Sequence, residues 1–554
     1  MTKFILVNIL LLALLTISNT LTVKQNKQQQ SSSISYKNLN WLNVTSFGVK
    51  PDGVTNNTIK LQEAINFAAK NNQTLYFPAG IYLTNAITIT SNLSIIGEGE
   101  NTVLKAISPK AVNYKFGCLL YSWYNSNYKN ISIQNITLDG NASLVDTSLK
   151  AAIANFSSCN NIYINNVKFI NGQSVGIALE KSESITIENC TFDNFGWSAL
   201  MAIGIKNAQL IGNKTSGWSK INLDKNPAWS FPSLSSSNVF ISNNFFFNSS
   251  FATEYGIELY GAYSYNFNIT NNIFDANGYK GSGISGAFKF SSITNNKFLN
   301  GTGNQRCGLE VHLDTSIVSN NIIQNGSIAS FPFPIIAHHQ SGGVIKNNII
   351  TNHLNQGYAM MIAGSSALDT TYHFEISDNT IHVNNLVNSA IIIGWYGAKG
   401  NYKDLAVYNN KINAPLNTYG IRLHGYSGKN VSIYNNYING SISGISNDEG
   451  SAITGFFDIY NNTVLNSATK MAYKTSSTAT TNNNRVNVGT EIYFNNNINK
   501  EPNLFKETFF FSTNKNAPKR KNAAGIKGEI RITKSYIYIC IDDNKWIKTK
   551  LHKW

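Results

Sequence analysis

Four short segments of this chain share one register: Gly256-Ile-Glu-Leu-Tyr260, Gly283-Ile-Ser-Gly-Ala287, Gly308-Leu-Glu-Val-His312 and Gly420-Ile-Arg-Leu-His424. Read as strands whose side chains alternate, Ile257, Leu259, Leu309, Val311, Ile421 and Leu423 turn inward. Glu258, Tyr260, Glu310, His312, Arg422 and His424 then turn outward on one sheet. His338 and His339 follow about one repeat after His312, so one of the two falls beside it. Asp314 extends the Glu310/His312 row and Arg306 sits just before it. Carboxylates, imidazoles and guanidinium groups stand here where Thr, Ser or Asn is usual, which makes this row the chain's strongest site signal. The plain alternative is a set of solvated strand residues. Trp395 and Tyr396 end another aligned strand. Trp218 and Trp229 lie in a long interruption before Val239, where they either stack on sugar rings or pack inward.

Two chemistries suit such a row. On a uronate polymer, β-elimination needs a base for the proton α to the carboxylate and positive charge for the enediolate that forms. His312 or His338 would be the base, with Arg306 or Arg422 pairing the carboxylate. Hydrolysis instead needs two carboxylates flanking the glycosidic bond, here Glu258 and Glu310. Two coils separate them, with Ser285 between, hence ~10 Å along a stack of strands. That is at or just beyond the range of an inverting pair, ~6.5–9.5 Å. Glu310, His312, His338 and Arg306 are therefore the candidate catalytic set. Glu258, Tyr260, Asp314, His339, Trp395, Tyr396, Arg422 and His424 are the candidate substrate-binding set.

A repeat must bring these residues together. The phrase apolar-x-apolar-x-Asn-Asn recurs, as in Val239-Phe-Ile-Ser-Asn-Asn244 and Phe267-Asn-Ile-Thr-Asn-Asn272. It continues through Asn296, Asn321, Asn348, Asn379, Asn410, Asn436 and Asn462 in steps of 24 to 31 residues. Strict alternation excludes helical repeats, and the leucine consensus of leucine-rich repeats is missing. A period in the twenties built of short strands predicts one turn of a parallel β-helix per repeat, stable only as a stack. The repeated Asn suits a sharp corner, since it tolerates left-handed backbone and its amide can bond to the same Asn one coil away.

Ahead of the repeats, Ser46-Phe-Gly-Val-Lys-Pro-Asp-Gly-Val-Thr-Asn-Asn-Thr58 leads into an amphipathic helix with Leu61, Ala64, Ile65, Ala68 and Ala69 on one face. Leu75-Tyr-Phe-Pro-Ala-Gly-Ile-Tyr-Leu83 and Leu93-Ser-Ile-Ile-Gly-Glu-Gly-Glu-Asn-Thr-Val-Leu104 follow. This stretch, roughly residues 44–105, resembles the N-terminal signature of the pectate lyase superfamily, found in polysaccharide lyases, polygalacturonases and phage tailspikes. The resemblance implies an all-β fold: a single-stranded right-handed parallel β-helix, a solenoid whose open end the helix caps. It fixes no reaction. The polygalacturonase residue set and the clustered aspartates of calcium-dependent pectate lyases are missing here, and no obvious match to the alginate epimerase tetrad is seen. No cofactor is called for, and a calcium ion has no support in the residues.

The 554 residues are 42% hydrophobic and only 13% charged, with 40 glycines against 10 prolines, a balance that suits strands and turns and excludes coiled coils and charged disordered chains. A net charge of +15 favours an acidic polysaccharide as partner, though a bias of the source proteome would give the same balance. No nucleic-acid partner is expected. Five scattered cysteines form no CxxC pair, so neither a disulfide framework nor a zinc site is expected. Lys3 and the apolar run Phe4–Ile17 read as an export signal over 1–22, followed by a flexible lead-in over 23–43. An uncleaved anchor is the alternative; after signal removal no stable membrane insertion is expected, and the protein is placed outside the cell. The β-helix is assigned to 44–500, a basic linker to 501–527 and a β-hairpin module to 528–554. The module resembles a short terminal module of phage and virus-encoded structural proteins. Three readings therefore stand: a secreted lyase on an acidic glycan, a glycoside hydrolase using Glu258 and Glu310, and a non-catalytic adhesin or tailspike-like virion protein. A homo-oligomer fits any of them, a trimer the last.

Overall fold

The computed structural model describes residues 40–108, 117–143, 151–220, 226–232, 234–247, 255–277, 283–301, 308–325, 334–352, 358–363, 370–383, 389–394, 401–415, 418–423, 427–447, 455–465, 473–474, 479–482, 485–487, 510–511, 517–525 and 529–550. The expected signal and lead-in lie almost wholly outside them. From Trp41 to Asn487, 46 strands join into one hydrogen-bonded system. Each coil contributes a strand to each of three parallel sheets, termed here the site, corner and back sheets. In one coil these strands are Leu309–Asp314, Ile317–Ser319 and Ile322–Asn325. Each pairs in parallel with its counterpart one coil on, Ile335–Ser341, Val344–Lys346 and Ile349–Asn352. The expected right-handed β-helix is therefore the fold. No helix among the described residues is long and apolar enough to cross a membrane.

Inward side chains form a continuous core: Ile, Val, Leu and Phe columns are almost entirely buried along the stack. Phe246, Phe274 and Phe298 stack face to face at 4.6 and 5.0 Å. At the corner of the Asn-Asn phrase the two tasks expected of one Asn fall to two neighbours, whereas at the exposed corner before it single residues do both: left-handed Asn130, Asn161, Asn238 and Asn266 each donate through Nδ2 to Oδ1 of the Asn one coil back. The first residue of each pair carries the left-handed backbone, as at Asn271, Asn295, Asn320 and Asn347, with φ of 55–58°. The second is fully buried and forms the ladder. Nδ2 of Asn213, Asn244, Asn272, Asn296, Asn321, Asn348, Asn379, Asn410 and Asn436 each donates to Oδ1 of the next, at 2.9–3.0 Å, ending at Asn462.

The helix α1, Thr58–Lys70, buries the five apolar positions expected of it. It packs against the first coil. Gln62 completes the cap: its Nε2 donates to the Thr88 carbonyl at 3.0 Å and its Oε1 accepts from the Thr88 N–H at 2.9 Å, as a neighbouring strand would. The signature segment is a turn locked by side chains. The Asp52 carboxylate accepts from the Val54 and Thr55 amides and the Thr55 hydroxyl, and the Thr55 bonds above all hold its pKa down, to about 2. Gly80 is needed opposite it, since a Cβ there would lie 2.4 Å from Pro51 Cβ.

At the other end, Glu529–Ile532, Tyr536–Asp542 and Lys545–Lys550 form an antiparallel sheet. Phe510–Phe511 adds a fourth, parallel strand. The stretch expected to be a linker thus contributes a strand. It also contributes an ordered turn, because the Trp546 amide and indole N–H donate to the Lys521 and Ala523 carbonyls.

Candidate functional site

The strand Leu309–Asp314 alternates as its sequence requires. Leu309, Val311 and Leu313 are buried; Glu310, His312 and Asp314 are half-buried on the outer face. A tight column of backbone precedes the site strands. A Cβ on Gly283 would lie 2.1 Å from the Gly308 carbonyl oxygen, and one on Gly308 would lie 2.0 Å from that of Pro334. Glycine at these positions lets successive coils close up, and that sets the register of everything outward of them.

The register then does the assembling. His312 pairs with His338 across neighbouring strands. Their rings stack with centroids 5.0 Å apart and planes 22° apart. His338 Nε2 lies 3.5 Å from Glu310 Oε1. The Tyr255 hydroxyl donates to the other oxygen, Glu310 Oε2. Tyr255 belongs to the coil of Glu258, two coils before Glu310, so its ring runs along the stack to reach that carboxylate. The result is a carboxylate held from one side by a buried phenol and from the other by a stacked imidazole pair. Such a group can orient an imidazole and move protons at the outer face.

The other expected site residues divide. Asp314 does extend the row, and its Oδ2 is 3.0 Å from Lys289 Nζ one coil back. Glu258 occupies the expected column through Ser285 to Glu310. It is only 6% exposed, however, so the expected open ladder position is a covered one. Arg422 cannot serve a sugar bound at His312. It follows Glu310 by four rungs, through Ile336, Met361 and Ile392, roughly 19 Å at ~4.8 Å per rung. Its guanidinium instead lies over the Tyr419 ring at 4.6 Å. Trp218 and Trp229 are fully buried, with Trp229 edge-on to Phe246 at 4.7 Å, so neither stacks on sugar. Tyr260 and His339 lie in described strands, but their side chains are outside the description. Arg306, Trp395, Tyr396 and His424 lie outside the described residues altogether. No three His, Cys, Asp or Glu side chains gather as a metal-holding group among the residues described.

Three features escape the sequence reading. Tyr255 precedes the alternating strand, so no periodicity marks it. The row between Glu310 and Arg422 is apolar, with Met361 3% and Ile392 2% exposed and Ile336 and Tyr358 beside them. The doubled runs Met360-Met361 and Ile391-Ile392-Ile393 were the available signal, since unbroken apolar strands are covered on both faces. Third, Phe290 takes the left-handed position that Asn238 and Asn266 hold in earlier coils, with φ of 49°. It is 56% exposed, with Lys289 Nζ 5.3 Å from its ring centre and the exposed Tyr265 paired in register with Lys289. A bulky residue in that backbone region is strained, and strain of this kind gathers at functional sites.

Comparison with known proteins agrees with this architecture. The family described as "Rhamnogalacturonase A/epimerase, pectate lyase-like" matches residues 41–238, and "Right handed beta helix region" matches 151–328. Mannuronan C5-epimerase AlgE1 of Azotobacter vinelandii is 35% identical over 109 residues, 18% of this chain and 8% of that protein. The SPbeta prophage-derived uncharacterized protein YomE of Bacillus subtilis (strain 168) is 30% identical over 171 residues, 27% of this chain and 24% of that one. These matches span a quarter or less of each relative's length. Among solved structures, pre-mature bacteriophage phi29 gene product 12 aligns with a TM-score of 0.51 at 14% identity, covering 81% of this chain and 73% of its own, a likeness of fold.

Proposed function

We propose that this chain, a right-handed parallel β-helix whose residues 41–238 match a pectate lyase-like family model, acts on an acidic, uronate-containing polysaccharide, cleaved by β-elimination on the site sheet. The observation that supports this reading is the Tyr255–Glu310–His338–His312 cluster on one outward row. Glu310 holds His338 in the orientation of a general base, which takes the proton α to the uronate carboxylate. The electron pair left behind forms the C4–C5 double bond as the C4–O4 bond breaks. His312, stacked on His338, returns a proton to the departing oxygen. Lys289, fixed by Asp314, supplies positive charge beside the enediolate, the task first expected of Arg306 and Arg422. Phe290 and Tyr265 offer ring faces to a neighbouring sugar. Export over residues 1–22 belongs to the same reading, and N-terminal sequencing of secreted protein would locate the cut.

The test is absorbance near 235 nm, where unsaturated uronates absorb, while the full chain meets a panel of alginates, pectates and other acidic glycans. The expected result is a rise on at least one of them that His338→Ala and Glu310→Gln abolish without loss of fold. New reducing ends without that absorbance would replace the lyase by a hydrolase using Glu258 and Glu310. Binding with no new ends would make the protein an adhesin or fibre component.

A further inference from the structure

The C-terminal sheet carries a second polar feature, unrelated to the site sheet and not dependent on its chemistry. Pro518, Lys519, Arg520, Lys521, Tyr538 and Lys548, with Trp546 and Ile547, line a cleft of about 630 Å³. Four of these residues are cationic, and none of the described residues lining the cleft is acidic.

Such a basic run in a chain is ordinarily a solvated tail. Here it is a fixed wall. The Trp546 amide and indole N–H donate to the Lys521 and Ala523 carbonyls. Arg531 Nη2 donates to the Ala524 carbonyl at 3.1 Å. The Gly525 amide donates to Asn544 Oδ1 at 3.0 Å, and the Asn544 amide returns a bond to the Gly525 carbonyl. Holding like charges together costs free energy that these bonds must offset, and an anion in the cleft removes that cost.

We propose that this cleft binds an acidic polysaccharide, apart from the β-helix site. Lys519, Arg520, Lys521 and Lys548 pair its carboxylates or sulfates, and Tyr538, on the same face as its cross-strand partner Lys548, offers a ring to a sugar. Single-stranded nucleic acid fits less well. The Trp546 ring is closed off between the Arg531 guanidinium at 4.5 Å and Gly525, whose Cβ would lie 2.3 Å from the ring. The Tyr536 ring lies under Lys548 Nζ at 4.9 Å. Tyr538 is then the one aromatic ring left open among the described lining residues, too few for a run of stacked bases, and no Asn or Gln is among them to read base edges.

The test uses the full chain carrying Glu310→Gln, so that binding is measured without turnover at the other site. Polygalacturonate, neutral dextran and oligo-dT are the probes, and Trp fluorescence monitors the module's fold. Lys519→Gln/Arg520→Gln/Lys521→Gln should weaken polygalacturonate binding about 10-fold or more at low salt and flatten its salt dependence. Lys548→Gln, on the hairpin rather than the pinned run, should weaken it about 3-fold and serves if the triple variant misfolds. Unchanged binding in both variants, equal retention on dextran, or a preference for oligo-dT over polygalacturonate would overturn the proposal. No rise in absorbance with the parent chain on any of the glycans, with this binding intact, would sink only the lyase reading.

Discussion

Tyr255 is 2% exposed and its hydroxyl ends on Glu310, two coils away. Its task is positioning: without that donor the carboxylate loses the bond that holds its Oε2. Tyr255→Phe should lower kcat about 10-fold or more, leave KM nearly unchanged and keep the fold, as steady-state kinetics on the responding glycan would show. The imidazole pair was legible from repeat spacing alone, because one period carries His312 onto His338. Tyr255 was not, because it acts across two coils from a position outside any strand pattern. Glu258 misled in the other direction: its alternation placed it outward, and outward was taken to mean open. The described cysteines, Cys118, Cys159, Cys190 and Cys540, are buried. Burial pushes the Cys118 and Cys190 thiols up to about 12. At pH 8 both stay protonated, so iodoacetamide should label them only after denaturation, as mass spectrometry of the peptides would reveal. The stabilisation from keeping them neutral holds below about pH 9 and fades as pH climbs from there to about 12.

At the scale of elements, the corner ladder and the glycine column hold the coils in register. Each ladder Oδ1 accepts two bonds from the coil before it, from the backbone N–H and the side-chain amide. Asn321, for example, accepts from Asn296 N at 2.9 Å and Nδ2 at 3.0 Å. Asn321→Ala would leave these donors buried and unsatisfied and should cost about 3 kcal/mol. Gly308→Ala drives a methyl against the Pro334 carbonyl and should cost a similar amount, about 3 kcal/mol. Its effect on turnover should be larger than that of the ladder change, since Gly308 adjoins the strand of Glu310 and His312. Denaturant midpoints together with rates separate the two outcomes. The Asn-Asn phrase announced this ladder plainly. The apolar stretch of the row from Ile336 to Ile392 carries no polar mark in the sequence, only doubled apolar residues, because both of its faces are covered.

For the molecule as a whole, a stack of parallel strands needs its first edge covered, and α1 with Gln62 does so. Leu61→Asp should uncover that edge, and light scattering at rising concentration should detect end-on association absent from the parent. The fold was legible because each coil repeats the same physical instruction, so a weak signal is reinforced many times over. The C-terminal sheet has no repetition to reinforce it. Its hairpin was readable from alternation, but the pairing of Phe510–Phe511 with Glu529–Ile530 spans nearly twenty residues and left no local mark.

The asparagine ladder also has a direction. From Asn213 to Asn436 each side-chain amide gives one proton forward to the next Asn and the other to a main-chain carbonyl of the coil before, so the Asn-to-Asn bonds all run one way along the axis. Mutual polarisation then favours the middle of the file over its ends. Unravelling should therefore start at a terminus of that file and travel inward like a zipper.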